Sequence, residues 1–272
     1  EPIMTEDSLE KRGNKTVRRI AILLIQVGAT FAGLWFFGLW FFAKSREIKT
    51  FQAGNQLLSQ GIYKEAIAKY DQVLNINANY YQAWTNRGYA LAGLQKYDRM
   101  LDSCTSATII EPRAVYAWNC QGEALYNLKQ YGEAIAAFGK AISLDPKDPL
   151  FWINQTESLL ALKQTDKAIE AINEAIELLE PDQEEEEQEK IRELSVAFSH
   201  QGKALSQQQE YEKALEAYDQ SLKYAPDYFT AQRGRGLTLR NLKRFDEAIA
   251  QFNQMLNNPK LTDAQKAETC YY

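Results

Sequence analysis

Residues 115–148 read VYAWNCQGEALYNLKQYGEAIAAFGKAISLDPKD, and the architecture of the chain can be worked out from this unit. Apolar residues recur at helical spacing in two runs, Trp118 to Leu128 and Tyr131 to Leu144, which a short turn separates. Such a period indicates two amphipathic helices. Pro146 follows the second run, and a proline in that place is a helix stop signal. The stretch is therefore predicted to form a helical hairpin.

The same unit recurs along the chain. A column of small residues has members 34, 34, 34, 46 and 34 residues apart: Gly54, Gly88, Gly122, Thr156, Gly202 and Gly236. A column of mostly large residues keeps the same intervals: Tyr70, Cys104, Phe138, Ile172, Tyr218 and Phe252. A single helix pair cannot bury its apolar stripe alone, so repeats of this kind stack on one another. The sequence therefore predicts an all-α solenoid of six helix pairs.

The register resembles the tetratricopeptide repeat, whose pattern runs Trp, Leu-Gly, Tyr, Ala, Phe or Tyr, Ala and Pro. The third repeat matches through Trp118, Gly122, Leu125, Tyr131, Ala134, Phe138, Ala141 and Pro146. The resemblance covers residues 47–262 and implies six tetratricopeptide repeats wound into a right-handed superhelical crescent. The departures from the pattern are Met100 and Cys104 in repeat two, Thr156 in repeat four, and Thr50 and Gln232 in the terminal repeats.

An apolar segment precedes the repeats. Ile20 to Phe42 is a run of 23 residues without a charge, and as a helix it would measure roughly 34 Å, enough to cross a hydrocarbon core of about 30 Å. A cleaved signal peptide has a shorter apolar core. We therefore predict a tail over residues 1–19, one transmembrane helix over 20–42, a linker over 43–46, the repeats over 47–262 and a C-terminal cap over 263–272.

The flanking charges bear on the orientation of this predicted anchor. Five Lys or Arg residues precede the span and three follow it closely. Because positive charge is retained on the cytoplasmic side, this count slightly favours an extracytoplasmic repeat domain. A single-pass protein of a bacterial inner membrane or a thylakoid membrane is expected, with the side of the repeats left open.

The long interval reflects an insertion of about twelve residues, 183–194, between repeats four and five. Pro181 ends the preceding helix, Asp182 can cap the next one, and Glu184 to Glu187 would fill its first turn, where the helix dipole favours negative charge. The insertion is predicted to lengthen the first helix of repeat five. It is either a solvated acidic extension or an acidic docking site, and the first reading is preferred.

Composition and motifs argue against several functions. With a net charge of −5, the chain lacks the positive field behind most nucleic-acid binding. One histidine and three cysteines cannot supply repeated zinc sites or a disulfide scaffold, and Cys104 and Cys120 are expected to be small buried hydrophobes. His200 is read as an ordinary helix residue, and no nucleophile or phosphate-loop motif is present. We expect no catalysis, no cofactor, no metal and no small-molecule substrate.

In the family, four places on the first helix of each repeat line a concave groove that holds a partner protein. Carried onto this chain, the resemblance implies a groove formed by Phe51, Asn55, Leu58, Thr85, Tyr89, Tyr116, Asn119, Glu123, Tyr126, Ile153, Glu157, Lys203, Arg233 and Arg240. Aromatic anchors beside amides suit a peptide, while the cations at the far end are expected chiefly to steer association. The places that clamp a C-terminal carboxylate in co-chaperone members hold no cation in repeats one to three.

These features together predict a membrane-anchored scaffold that binds another protein. The sequences of the repeats are similar to those of membrane-anchored repeat proteins of photosynthetic and other bacteria, some of which assemble membrane complexes such as photosystems. Two alternatives remain open: a targeting receptor for precursor proteins, and a regulatory anchor for a soluble enzyme.

Overall fold

The structure is a computed structural model that describes residues 44–179 and 188–271, and these residues form α-helices and turns without a strand. The chain divides into two compact units, residues 1–78 and residues 79–272. The predicted transmembrane helix, residues 20–42, lies outside the described residues. Within the described ranges, no helix has the length and apolarity needed to cross a bilayer.

The helices follow one another in pairs. In the first unit, the described part of α1 covers residues 44–59, and α2 is Tyr63–Ile76. The second unit contains α3 (Tyr81–Gly93), α4 (Tyr97–Ile110), α5 (Val115–Asn127), α6 (Tyr131–Leu144), α7 (Pro149–Ala161), α8 (Thr165–Leu179), α9 (Gln188–Gln207), α10 (Tyr211–Tyr224), α11 (Phe229–Asn241), α12 (Phe245–Leu256) and α13 (Asp263–Cys270).

In the second unit, each helix from α3 to α12 packs against the next, and α13 packs on α12. The odd-numbered helices also touch one another in the order α3, α5, α7, α9 and α11. This arrangement confirms the predicted helical-repeat solenoid. Helix α9 has 20 residues where α11 has 13, because it begins at Gln188 inside the insertion; Glu184 to Glu187 lie outside the described residues.

The two sequence columns meet in the structure. A Cβ atom added to Gly122 would lie 2.5 Å from the ring of Phe138, and one added to Gly236 would lie 2.6 Å from the ring of Phe252. Real Cβ atoms essentially never approach so closely, so the glycines leave the space that the rings fill. Close approach of two helices around an aromatic side chain therefore explains the spacing of these columns.

Repeat four departs from this pattern in both columns at once. Thr156 stands at the glycine place and Ile172 at the aromatic place, and both are fully buried. A larger residue at the glycine place is thus accompanied by a smaller one at the aromatic place, which keeps the combined side-chain volume similar. The Thr156 hydroxyl donates to the backbone oxygen of Trp152 at 2.8 Å, so its burial leaves no unpaired polar atom.

Repeat two corrects an expectation. Cys104 and Cys120 are buried as predicted, but they are joined by a disulfide between α4 and α5 rather than packed as separate thiols. A Cβ atom on Gly88 would lie 2.5 Å from the sulfur of Cys104 and 2.7 Å from that of Cys120. The two sulfur atoms therefore fill the space that an aromatic ring fills in other repeats, which is a pairing across repeats that sequence spacing did not reveal.

A side-chain bond fixes the loop before three of the first helices. The indole nitrogens of Trp118 and Trp152 donate to the backbone oxygens of Pro112 and Pro146, at 2.9 Å and 3.0 Å. In repeat six, where tryptophan is absent, the amide nitrogen of Gln232 donates to the equivalent oxygen of Pro226 at 2.8 Å. The departure at position 232 therefore preserves the hydrogen bond while losing the ring.

The turn inside each helix pair contains one residue with positive φ. Only the first is a glycine; the others are Gln95, Lys129, Lys163, Gln209 and Lys243. Residues other than glycine rarely adopt this backbone conformation. The turns are held by backbone hydrogen bonds such as Gln130 N–H to Leu125 C=O at 2.8 Å, which offset the strain. Glutamine and lysine are thus both accommodated at this place of the repeat.

Candidate functional site

The candidate site is the surface that α3, α5, α7, α9 and α11 present together, called here the first-helix surface. These helices touch in that order, so side chains at equivalent places line up from repeat to repeat. Tyr116 on α5 is 55% exposed, and its ring packs edge-on against Phe151 with the centroids 5.7 Å apart. Its hydroxyl donates to Asp148 at 3.1 Å. Tyr116 therefore offers an oriented aromatic face to a partner.

A hydrogen-bond network crosses α3, α5 and α7 beside it. Asn119 donates to the hydroxyl of Tyr89 at 3.3 Å and to the carboxylate of Glu123 at 2.6 Å, while its own oxygen accepts from Asn154 at 2.9 Å. The Tyr89 hydroxyl in turn donates to the backbone oxygen of Tyr116 at 3.1 Å. Burial raises the pKa of Tyr89, so this hydroxyl remains a donor at neutral pH. The network fixes the positions of the polar side chains that α3, α5 and α7 contribute to the first-helix surface.

A second chain of polar contacts joins α5, α7 and α9. The hydroxyl of Tyr126 bonds to Glu157, which also holds Nε2 of His200 at 2.9 Å. The hydrogen bond from His200 lowers the pKa of Glu157 and outweighs its burial, so the carboxylate is ionised at neutral pH. Burial, with the nearby Glu157, raises the pKa of Tyr126 to about 12. These contacts orient Tyr126, which is half-buried and stacks obliquely near Tyr131.

The far end of the surface is cationic. Lys203 on α9 and Arg240 on α11 are exposed, and Arg233 lies between them in sequence, partly buried. The guanidinium of Arg233 contacts the carboxylate of Glu268 on α13 and lies 5.8 Å from the centre of the Phe229 ring. The first-helix surface therefore changes from aromatic and acidic at α5 and α7 to cationic at α9 and α11.

The structure separates the predicted groove residues into three groups. Phe51, Asn55 and Leu58 belong to the first unit, where Asn55 accepts a hydrogen bond from the hydroxyl of Tyr70 at 2.9 Å. Thr85, Asn119 and Ile153 are buried, with 5%, 1% and 6% of their surface exposed. These three contribute packing and hydrogen bonds rather than contact area. The remaining predicted residues lie on the first-helix surface: Tyr89, Tyr116, Glu123, Tyr126, Glu157, Lys203, Arg233 and Arg240.

Sequence reasoning missed several members of the surface. Asn154, Asp148 and His200 contact predicted residues directly, although they fall outside the four places carried over from the family. Glu268 comes from the predicted C-terminal cap, and nothing in its sequence context indicates that it reaches Arg233. Among residues 44–179 and 188–271, no group of three acidic, histidine or cysteine side chains is arranged to hold a metal ion.

Glu123 leads to a prediction about pH. Burial raises its pKa from 4.5 to about 7, with the hydrogen bond from Asn119 opposing this. Because the folded state favours the neutral carboxyl group, the ionised form costs stability, which should fall as the pH rises from about 4.5 to about 7 and stay lower above that range. Glu123→Gln keeps an acceptor for Asn119 without the charge. We expect it to raise the free energy of unfolding by about 1–2 kcal/mol at pH 8 and to change it little at pH 4.5.

Urea denaturation followed by circular dichroism at the two pH values measures this difference. Glu177→Gln is the matched control, because Glu177 is an exposed glutamate on α8. A stabilisation of Glu123→Gln that is the same at pH 4.5 and pH 8 would contradict the assignment of the cost to ionisation.

The comparisons with known proteins agree with this geometry. Family profiles described as tetratricopeptide repeat match residues 115–148 and 200–262, and one described as TPR repeat matches residues 54–95. The chain is a tetratricopeptide-type repeat protein. No curated protein matches it in sequence. The predicted tetratricopeptide repeat family is thus confirmed.

Solved tetratricopeptide-like structures are similar in fold. The structure of Pseudomonas aeruginosa PilF has a TM-score of 0.65 and 17% identity, over 84% of this chain and 98% of that one. One chain of the APC/C hetero-tetramer Cut9-Hcn1 has a TM-score of 0.69 and 16% identity, over 83% of this chain and 42% of that chain. YrrB, described as a TPR protein with an unusual peptide-binding site, has a TM-score of 0.53 and 17% identity, over 75% and 98%. At these identities the likeness establishes the fold alone.

Proposed function

We propose that the chain is a membrane-anchored scaffold whose first-helix surface binds another protein, and that it serves as an assembly or accessory factor for a membrane complex. The observation that carries the proposal is Tyr116, an aromatic side chain more than half exposed yet held by Phe151 and Asp148. Exposed aromatic side chains in fixed orientations are typical binding hot spots. Repeat proteins of this architecture use the aligned surface of their repeats for binding.

Anchoring is supported by the uncharged run Ile20 to Phe42. We further propose that the repeats face an oxidising compartment on the extracytoplasmic side. The excess of Lys and Arg before the span supports this side. The disulfide between Cys104 and Cys120 supports it independently, because disulfides persist in oxidising compartments and are rare in the cytosol. A photosystem-type complex in a thylakoid membrane is one partner consistent with the similarity of the repeats to bacterial membrane-anchored proteins.

The anchor gives a direct prediction. Full-length protein in isolated membranes should stay in the pellet after alkaline carbonate extraction, whereas deletion through Phe42 should release a soluble and still helical chain. Circular dichroism provides the control that the deleted form has folded. Release of the full-length chain by carbonate would contradict a membrane-spanning segment.

Co-purification from detergent tests the proposed role. Full-length chain is isolated from native membranes beside the Tyr116→Ala, Tyr126→Ala double variant, and proteins that the double variant loses are identified by mass spectrometry. Subunits of one membrane complex would support the assembly role. Many unrelated precursors would instead indicate a targeting receptor, and one soluble enzyme would indicate a regulatory anchor. Identical co-purifying proteins for both forms would contradict binding at the first-helix surface.

A further inference from the structure

A cavity of about 480 Å³ opens at the cationic end of the first-helix surface, between α9, α10 and α11. Three cationic residues line it, Lys203, Arg233 and Arg240. Val196 and Leu237 supply apolar wall beside them. The cavity therefore combines positive charge with apolar surface, which suits an acidic group next to an apolar side chain.

The charges around this cavity are not internally balanced. Within the described ranges, neither Lys203 nor Arg240 has an acidic oxygen within 4.0 Å. Glu157, the acidic residue in the lining, bonds to His200 at 2.9 Å and also interacts electrostatically with Lys203. Three cations against one carboxylate in the lining leave an excess of positive charge, and such an excess at a concave surface attracts an anion. The electrostatics of the cavity thus favour a negatively charged ligand.

A buried polar atom in the wall also lacks a partner. Ser199 is 2% exposed and lines the cavity, and its hydroxyl makes no hydrogen bond with any described residue. Buried polar groups are nearly always hydrogen-bonded in folded proteins. The wall of the cavity therefore contains a hydroxyl donor that the described residues leave unsatisfied.

A contact within the chain indicates which kind of anion suits the cavity. The carboxylate of Glu268 on α13 contacts the guanidinium of Arg233, which lines the cavity. Arginine pairs well with carboxylates because its planar donors match their geometry. Glu268 lies outside the cavity lining, so its carboxylate shows that Arg233 pairs with an acid, and it would compete with an incoming carboxylate for that guanidinium.

We propose that this cavity binds a carboxylate of an acidic peptide segment in the partner protein, with Glu268 as an internal competitor for Arg233. The segment carries an apolar side chain beside its acid, which contacts Val196 and Leu237. This inference rests on the proposed function, because it assigns one part of the partner to one part of the first-helix surface. It gives the cations a binding role where the sequence predicted chiefly steering.

The probe is a fluorescein-labelled octapeptide of alternating leucine and glutamate, measured by fluorescence anisotropy with the full-length chain in detergent. A second peptide has glutamine in place of every glutamate. We expect the acidic peptide to bind at least ten times more tightly than the glutamine peptide. Both peptides are amidated at the C-terminus, so that they differ only in the carboxylates of the glutamate side chains.

Variants locate the binding. The Lys203→Gln, Arg240→Gln double variant should bind the acidic peptide at least ten times more weakly, and Glu268→Gln should bind it at least three times more tightly. Lys243→Gln is the control, because it removes one positive charge outside the cavity lining at a turn place where glutamine already occurs in other repeats. Circular dichroism verifies that each variant is folded.

Equal affinity of the wild-type chain for the two peptides would overturn the proposal, as would undiminished binding of the acidic peptide by the double cation variant. Failure here is distinguishable from failure of the proposed function. If partner capture depends on Tyr116 and Tyr126 but not on Lys203 and Arg240, the scaffold role stands and the carboxylate site is wrong. If capture depends on none of the four, the first-helix surface is not the binding surface.

Discussion

Replacing Gly122 by leucine is expected to destabilise the repeat domain by at least about 3 kcal/mol, at the upper end of the overpacking effects seen in protein cores. A Cβ atom alone would lie 2.5 Å from the Phe138 ring, which is 1% exposed and has no room to move into solvent. The rest of the leucine side chain would separate α5 from α6. Since whole domains are stable by about 5–15 kcal/mol, such a loss is a large fraction of the total. Urea denaturation followed by circular dichroism measures it.

Gly132 provides the matched control on the neighbouring helix. A Cβ atom there would meet nothing within 4 Å. Alanine has a higher helix propensity than glycine, so Gly132→Ala should stabilise the domain by about 0.5–1 kcal/mol. If Gly122→Leu unfolded at the same urea concentration as the wild-type chain, the close packing of glycine against the ring would not explain why these two positions recur in the repeats.

Replacing Tyr116 and Tyr126 together by alanine is expected to weaken partner binding at least a hundredfold. Central aromatic residues of an interface often contribute about 2 kcal/mol or more each, and about 1.4 kcal/mol corresponds to tenfold in affinity. Neither side chain belongs to the two columns that join the helices of a repeat, although Tyr126 packs beside Tyr131 at the edge of the core of repeat three. We therefore expect the double alanine variant to stay helical and to unfold cooperatively, with some loss of stability from the truncation of Tyr126.

The double phenylalanine variant separates the rings from their hydroxyl groups. It removes the bonds from Tyr116 to Asp148 and from Tyr126 to Glu157 while keeping both aromatic faces. We expect it to lose less than tenfold in affinity. A loss as large as that of the alanine variant would assign the binding to the hydroxyl groups and contradict the role given to the rings.

The sequence predicted the parts of the fold that repeat. The 34-residue register located the helix pairs, and α6 begins and ends at the predicted Tyr131 and Leu144. The two columns predicted the packing correctly because, within one repeat, a small residue contacts a large one at a fixed separation, as Gly122 and Phe138 do. Packing of this kind depends on local geometry that every repeat shares, so several copies reveal it.

Contacts made between repeats were harder to predict. The disulfide joins Cys104 of one repeat to Cys120 of the next, and neither residue recurs at its place in the other repeats. The contact of Arg233 with Glu268 depends on how α13 packs beyond the last repeat. Asn119 was expected to line the groove, yet it is 1% exposed because it bonds to residues on both neighbouring first helices. A repeat pattern gives the face of a helix but not how far a side chain is covered by its neighbours.

The affinity of an isolated partner for the full-length chain in detergent, measured with the Tyr116→Ala, Tyr126→Ala variant and with a variant in which Glu184 to Glu187 are replaced by lysine, tests the central claim most directly. The claim is that the first-helix surface binds the partner. It predicts a loss of at least a hundredfold for the tyrosine variant and a change of less than threefold for the lysine variant. Full affinity of the tyrosine variant together with loss of binding by the lysine variant would contradict the claim and assign docking to the acidic insertion.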